Sequence, residues 1–453
     1  MTTHGYASLS EAIAASVLGP QEVARIRQAW PNLVGIDRWR RDPDLGLVER
    51  SYVVPPGAVG WSTAVAGAAG LNGSAVTATI ETDGKRRMSC HGERAARINS
   101  YGDSFTHGDQ VNDGETWQEY LAAHLRESIR NFGRGGASVY ETYLRMKREE
   151  ATANAAEYVL FYLWGDDHVR SLLGGSLHLN LLGMPGMAQW RTSVGFATPY
   201  LRIDPVTGAV TEHPSLIPTV ESVDHLANPE WYRQHIEHDL VTQLMLFGGH
   251  PATEGQSGGG VIASIDEGAV GSLAATLGLE REWASATDRQ ATARQLLDRY
   301  ALRTSTYLID EAVRFAATAG KKIMFLLLDP FRSVKAMVHG RARYDQPIVD
   351  HLESIGARYF DMTQVHVDDF RARGETWPRY LRHHFVEIGG HYSPQGNHYF
   401  AFSLLPHLLD WLEPKPAPYH GARPVVPQGY VFNGRFGGST DLPASMPKRR
   451  AEE

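Results

Sequence analysis

Four short stretches of this chain carry residue types that could do chemistry together. Gly102-Asp103-Ser104-Phe105-Thr106-His107-Gly108 offers a hydroxyl in a tight polar turn, and Asn131-Phe132-Gly133-Arg134-Gly135-Gly136 offers backbone N–H groups on a glycine-rich loop. Gly165-Asp166-Asp167-His168 offers carboxylates and an imidazole, and the stretch from His391 to His398 offers two histidines. A hydroxyl that attacks, a base that takes its proton and backbone donors that hold an oxyanion are what acyl transfer needs. Ser104 is the candidate nucleophile and His391 the candidate base. Ser104 has a plainer reading as a helix cap, since Ser and Asp both favour that position. His398 competes with His391. Ser393 and Pro394 read as the N-cap and first residue of a helix, which puts His391 in the preceding loop and His398 in the first turns. A loop position suits a base that must reach across to another strand end.

These stretches need a frame that brings them to one place. Residues 97–101 are strand-like. Between Thr116 and Glu127, Trp117, Tyr120, Leu121 and Leu125 share one helical face. A short strand at 128–132 precedes a helix near 138–150, and the run Glu157 to Trp164 is almost continuously apolar, as a strand buried on both faces must be. The alternation stops for about 130 residues and resumes at Thr304 with a helix, the strand 321–328, a helix over 346–355 and the strand 358–362. Five strands with intervening helices imply an α/β fold with a doubly wound, mostly parallel five-stranded sheet. Ligands of such sheets bind beyond the carboxyl ends of the strands, which is where all four stretches fall.

The rest of the chain surrounds that unit. Residues 1–95 open with helical periodicity (Leu9, Ile13, Val17, Val23, Ile26) and turn strand-like at 75–82, with Asp83-Gly84 as a hairpin signal. They are expected to form a β-rich accessory domain. Residues 96–170 and 301–413 would form the α/β unit and 171–300 an insertion acting as a lid or substrate-shaping subdomain. Residues 414–453, which hold seven of the 24 prolines, would form a loose or wrapping tail.

Composition narrows the function. The 453 residues are 42% apolar and 21% charged, as in an ordinary globular protein. A net charge of −7 argues against nucleic acid as a partner. No apolar run approaches the roughly 20 residues that a membrane span needs, and no secretory signal is visible at the N-terminus, so the expected compartment is the cytoplasm. One cysteine, Cys90, excludes an internal disulfide and every multi-cysteine metal site. No cofactor and no metal is expected.

The four stretches, in this order, resemble the conserved blocks of the SGNH (GDSL-type) hydrolases. Gly102-Asp103-Ser104 continuing through Phe105-Thr106 and on to Trp117 is similar to the first block of bacterial members. Asn131–Gly136 is similar to the second, and His391 followed by Ser-Pro-Gln-Gly-Asn to the last. The resemblance covers roughly 97–170 and 304–412. It implies an SGNH-hydrolase-like, flavodoxin-like sheet, Ser104 as nucleophile, His391 as base, and the N–H groups of Ser104 and Gly136 as oxyanion donors. Two positions depart from the family pattern. Asp166 stands where the third block carries an Asn donor, and a carboxylate can only accept. The family's acid, three residues before the histidine, is matched by Ile388; Glu387, one step earlier, is the possible acid partner, unless a backbone carbonyl orients the ring. Asp103, Asp167 and His168 are expected to line the substrate site or cap its turns.

The resulting expectation is a serine-dependent ester hydrolase acting on an O-acylated small molecule or sugar through an acyl-enzyme. An acyltransferase with the same machinery and a non-catalytic binding protein on a decayed frame are the alternatives. Three other signals are weaker. Gly255-Gln-Ser-Gly-Gly matches the nucleophile-elbow pattern, but the residues before it do not read as a buried strand. The same loop lacks the Gly-Lys-Ser/Thr of a phosphate loop. The Asp and His residues near 103–109, 166–168 and 398 hint at a two-metal phosphoesterase, yet the leading Asp-x-His of such enzymes is missing.

Overall fold

The computed structural model describes residues 6–29, 39–42, 46–57, 69–165, 167–174, 198–249, 262–387 and 389–420. The 255–259 elbow pattern and all but the first residues of the C-terminal tail lie outside them. Two helices open the chain, Leu9–Ser16 and Pro20–Ala29, followed by short strands β1 (Trp39–Asp42), β2 (Gly46–Glu49), β3 (Tyr52–Val54) and β4 (Val76–Ala78). β1 pairs antiparallel with β2, and β3 with β4. The Asp83-Gly84 turn forms, with Gly84 at φ +83°, but its arms meet through the isolated bridge Ile80–Arg86 rather than a ladder. Arg86 bridges onward to Asn131 and so attaches this segment to the edge of the main sheet.

That sheet has the expected α/β architecture. Its strands are β5 (Ala96–Tyr101), β6 (Ser128–Asn131), β7 (Tyr158–Trp164), then, after the hairpin β8 (Tyr200–Ile203) and β9 (Val210–His213), β10 (Lys322–Leu328) and β11 (Tyr359–Asp361). The order is β11-β10-β7-β5-β6, and every pairing is parallel. Numbered within the sheet this is the 2-1-3-4-5 order of doubly wound folds, whose strand order reverses between the first and third strands. β5 and β7 flank that point, and Ser104 lies just beyond β5.

Side chains alternate along a strand, so a strand covered on both sides must be apolar throughout. In β7, Tyr158, Leu160 and Tyr162 join one core cluster, while Val159, Phe161 and Leu163 join the other. The first cluster is closed by helices Trp117–Leu125 and Pro394–Trp411; the second by helices Val139–Glu149, Arg289–Thr318 and Gln346–Ser354 together with residues of the segment 201–283. The helix expected from Thr304 begins at Arg289. Its first turns bury Thr292, Ala293, Leu296, Leu297, Tyr300 and Ala301, and the small and polar members of that stripe hide its period in the sequence. The two N-terminal helices pack into this second cluster as well, and Leu18 N–H donates to Leu226 O at 2.8 Å. Tyr52, Val54, Val76 and Ala78 form a small cluster of their own. Among the described residues no helix is long and apolar enough to cross a membrane.

Candidate active site

Asp103 caps the short helix Ser104–His107, its carboxylate accepting from Phe105 N–H at 2.9 Å. The cap turns the chain sharply off the end of β5 and leaves Ser104 as the first helical residue, 8% exposed. At the other end of the chain, Ser393 caps helix Pro394–Trp411 by accepting from Gly396 N–H at 3.1 Å, with Pro394 as the first residue. His391 therefore sits in the loop before that helix. Its Nε2 lies 2.7 Å from Ser104 Oγ, across 287 positions of sequence. Phe105 packs under the imidazole with ring centroids 5.0 Å apart, and Phe105 is itself edge-on to Phe385 and Tyr392.

The second stretch comes to the same rim. A Cβ at Gly133 would stand 2.2 Å from His107 N, so only glycine lets this loop lie against the Ser104 helix. Asn131 holds the loop by accepting from Gly133 N–H at 2.9 Å and donating to His107 O at 3.2 Å. Gly136 is exposed in the turn that follows, at φ +68°.

The remaining expected residues fall in different places. Asp166 lies outside the described residues, as does Ile388. Asp167 is buried and paired with Arg170 at 2.8 Å. His168 is buried, with Nδ1 2.8 Å from Ser305 Oγ on the long helix. His398 is turned away from Ser104: its ring packs against Tyr120 and Phe402, and burial pushes its pKa down to about 4. Asp103 is fully buried, and loss of solvent raises its carboxyl to about 6, against the opposing effect of Arg170 and the backbone N–H groups of Phe105 and Thr106.

Glu387, the candidate acid partner, is exposed. The place behind the imidazole is taken by Gln110, whose Oε1 lies 3.0 Å from His391 Nδ1. Gln110 follows the serine helix by three residues, is 7% exposed and has φ +66°. Sequence reasoning missed it because an amide carries no acid signature and the contact joins positions 281 apart. Arg170 was missed too; it lies over the Trp164 ring at 5.6 Å.

Glu49, His107 and Asp109 are buried and each offers one potential metal ligand within 4.8 Å of the others. The two carboxylates take opposite nitrogens of one ring, however: Glu49 Oε2 is 2.8 Å from Nδ1, and Asp109 Oδ1 is 3.7 Å from Nε2. A neutral imidazole has one lone pair to give a metal. The Tyr52 hydroxyl also reaches Nε2, at 3.3 Å. The group ties the N-terminal strands to the serine loop through the close Glu49–His107 contact and the hydrogen bonds of Tyr52.

No protein-family model matches the chain, and no curated protein matches it. Among solved structures it is similar to a protein of Desulfitobacterium hafniense DCB-2 assigned to the lipolytic G-D-S-L family, at 10% identity and a TM-score of 0.33, covering 69% of this chain and 99% of that one. That is a loose likeness, and it gives neither a substrate nor a site residue.

Proposed function

We propose that this protein is a serine-dependent ester hydrolase that cleaves an O-acylated small molecule or sugar through an acyl-enzyme. The observation that carries the reading is the 2.7 Å contact between Ser104 Oγ and His391 Nε2 at the switch point of the sheet. His391 takes the hydroxyl proton as Oγ bonds to the ester carbonyl carbon. The negative charge on the carbonyl oxygen is held by the N–H groups of Ser104 and Gly136. The tetrahedral adduct collapses, the ester C–O bond breaks, and His391 returns the proton to the leaving alcohol. Water then repeats the sequence in reverse and frees the acid and Ser104.

The cap reading of Ser104 is not a rival to this one, because Asp103 Oδ1 supplies the capping oxygen, and the Ser104 hydroxyl, 3.4 Å from Asp103 Oδ2, lies closer to the imidazole at 2.7 Å. An acyltransferase would use the same residues with an acceptor hydroxyl in place of water. Incubation with a fluorophosphonate, followed by peptide mass spectrometry, tests the proposal. Phosphonylation of Ser104 that disappears in Ser104→Ala is the expected result. An unlabelled protein, or label on another serine, would remove the basis for hydrolysis.

A further inference from the structure

We infer that Gln110 is the positioning residue of His391, standing where a full triad has a carboxylate, and that the N-terminal segment holds it there through Ala69. The inference rests on the reading of Ser104 as nucleophile and His391 as base.

The hydrogen bonds fix which way the amide points. Gln110 Oε1 accepts from the His391 backbone N–H at 2.9 Å, and Nε2 donates to Ala69 O at 3.2 Å. A flipped amide would set NH2 against an N–H and an oxygen against a carbonyl, so the orientation is not free. With Oε1 an acceptor, the ring nitrogen 3.0 Å away must carry the proton, and His391 is Nδ1-protonated. Its Nε2 lone pair then faces Ser104, which is the tautomer a general base requires.

The amide is held from three sides. A Cβ at Gly390 would stand 3.0 Å from Gln110 Oε1, so glycine there makes room for the approach to His391. Arg86, 1% exposed, donates to the carbonyls of His107, Gly108 and Val111, clamping the loop on both sides of Gln110. The Glu49–His107 contact at 2.8 Å fixes the start of the same loop. Arg86, Ala69 and Glu49 all come from the N-terminal segment, which the inference makes part of the catalytic apparatus.

An amide differs from a carboxylate in one consequential way. It fixes tautomer and orientation but brings no negative charge to the imidazolium that forms during attack. A carboxylate beside an imidazole favours its protonated form, so it moves the pH at which the base becomes active upward. A neutral amide at position 110 adds no such upward shift.

The test compares wild type, Gln110→Met and Gln110→Glu, using p-nitrophenyl acetate turnover against pH and the rate of fluorophosphonate labelling. Gln110→Met keeps the volume and removes all three hydrogen bonds; kcat should fall by about 100-fold, as for a misplaced catalytic group, with KM little changed. Gln110→Glu restores an acceptor and adds charge; the acid limb of kcat/KM should move up by about one pH unit or more. A residue that served the fold alone would lower Tm in both variants and leave the acid limb in place, which would overturn the inference. So would a Gln110→Met protein labelled at the wild-type rate. Failure of the underlying reading appears separately, as a wild-type protein that is not labelled at Ser104, and it would take this inference with it.

Discussion

The two faces of the central sheet are covered by different kinds of material. On one face, Trp117–Leu125 and Pro394–Trp411 close the core, and these helices lie in the segments that also carry Ser104 and His391. On the other face, the cover includes the long helix Arg289–Thr318, much of the segment 201–283 and the two N-terminal helices. The first face couples packing to the reacting groups: Phe105 touches His391, and Tyr392, the next residue along the chain, is held by a 2.6 Å contact with the buried His366. The second face meets the strand-end loops at a different point, where Ser305 of the long helix contacts His168 at 2.8 Å. A doubly wound sheet allows this division because its chemistry sits at the strand ends while its two faces are filled independently.

The sharpest way to break the comparison lies on the first face. His391→Ala should abolish fluorophosphonate labelling and lower ester turnover by several powers of ten, with Tm near the wild-type value, because a loop side chain is lost and no core cavity opens. His398→Ala should do the opposite. Its ring is buried between Tyr120 and Phe402, so Tm should fall while labelling of the folded protein persists. Reversed results would move the base by two helical turns and erase the assignment.

On the second face, Leu297→Ala should cost about 2–5 kcal/mol of stability, because the side chain is fully buried and its removal leaves a cavity. Turnover per labelled active site should stay within a few-fold of wild type below the new melting transition. A large drop in that turnover would show that the helical layer reaches the chemistry after all.

The smallest expected effect lies at the seam, at Asp103. Its carboxyl titrates near 6 in the folded protein against 3.8 as the ordinary value. A raised folded value means that the native state holds the proton more tightly. The ionised form therefore costs stability above pH 6, and the cost fades as pH falls from 6 toward 3.8. Asp103→Asn keeps a capping oxygen and removes the charge. Its Tm relative to wild type should be higher at pH 7.5 than at pH 4.5, with no more than about 3 kcal/mol between the two conditions. An equal difference at both pH values would mean that the carboxylate is not strained by burial.

Much of this protein was legible in its sequence, and the parts that were share a physical reason. The apolar run 158–164 had to be a two-sided strand, and Ser393-Pro394 had to start a helix, because period, capping and proline act within a few residues. The order of strand and helix text was enough to expect the parallel sheet; strand-end placement and the helix start at Ser393 made Ser104 and His391 the candidates, and the fold sets their side chains 2.7 Å apart. Tertiary structure alone decided what long-range contacts decide. Burial of Thr292, Ala293, Leu296, Leu297, Tyr300 and Ala301 against the core extended the long helix back to Arg289. The N-terminal helices joined the core of the 201–283 segment, and the strands near them reached the serine loop. Behind His391 the sequence offered Glu387 by proximity; the folded chain leaves Glu387 exposed and sets an amide 281 positions distant in sequence against the ring. Gln110 could not be read from its neighbours, because its role comes from three hydrogen-bonding partners, at His391 and Ala69, that only the folded chain brings within reach.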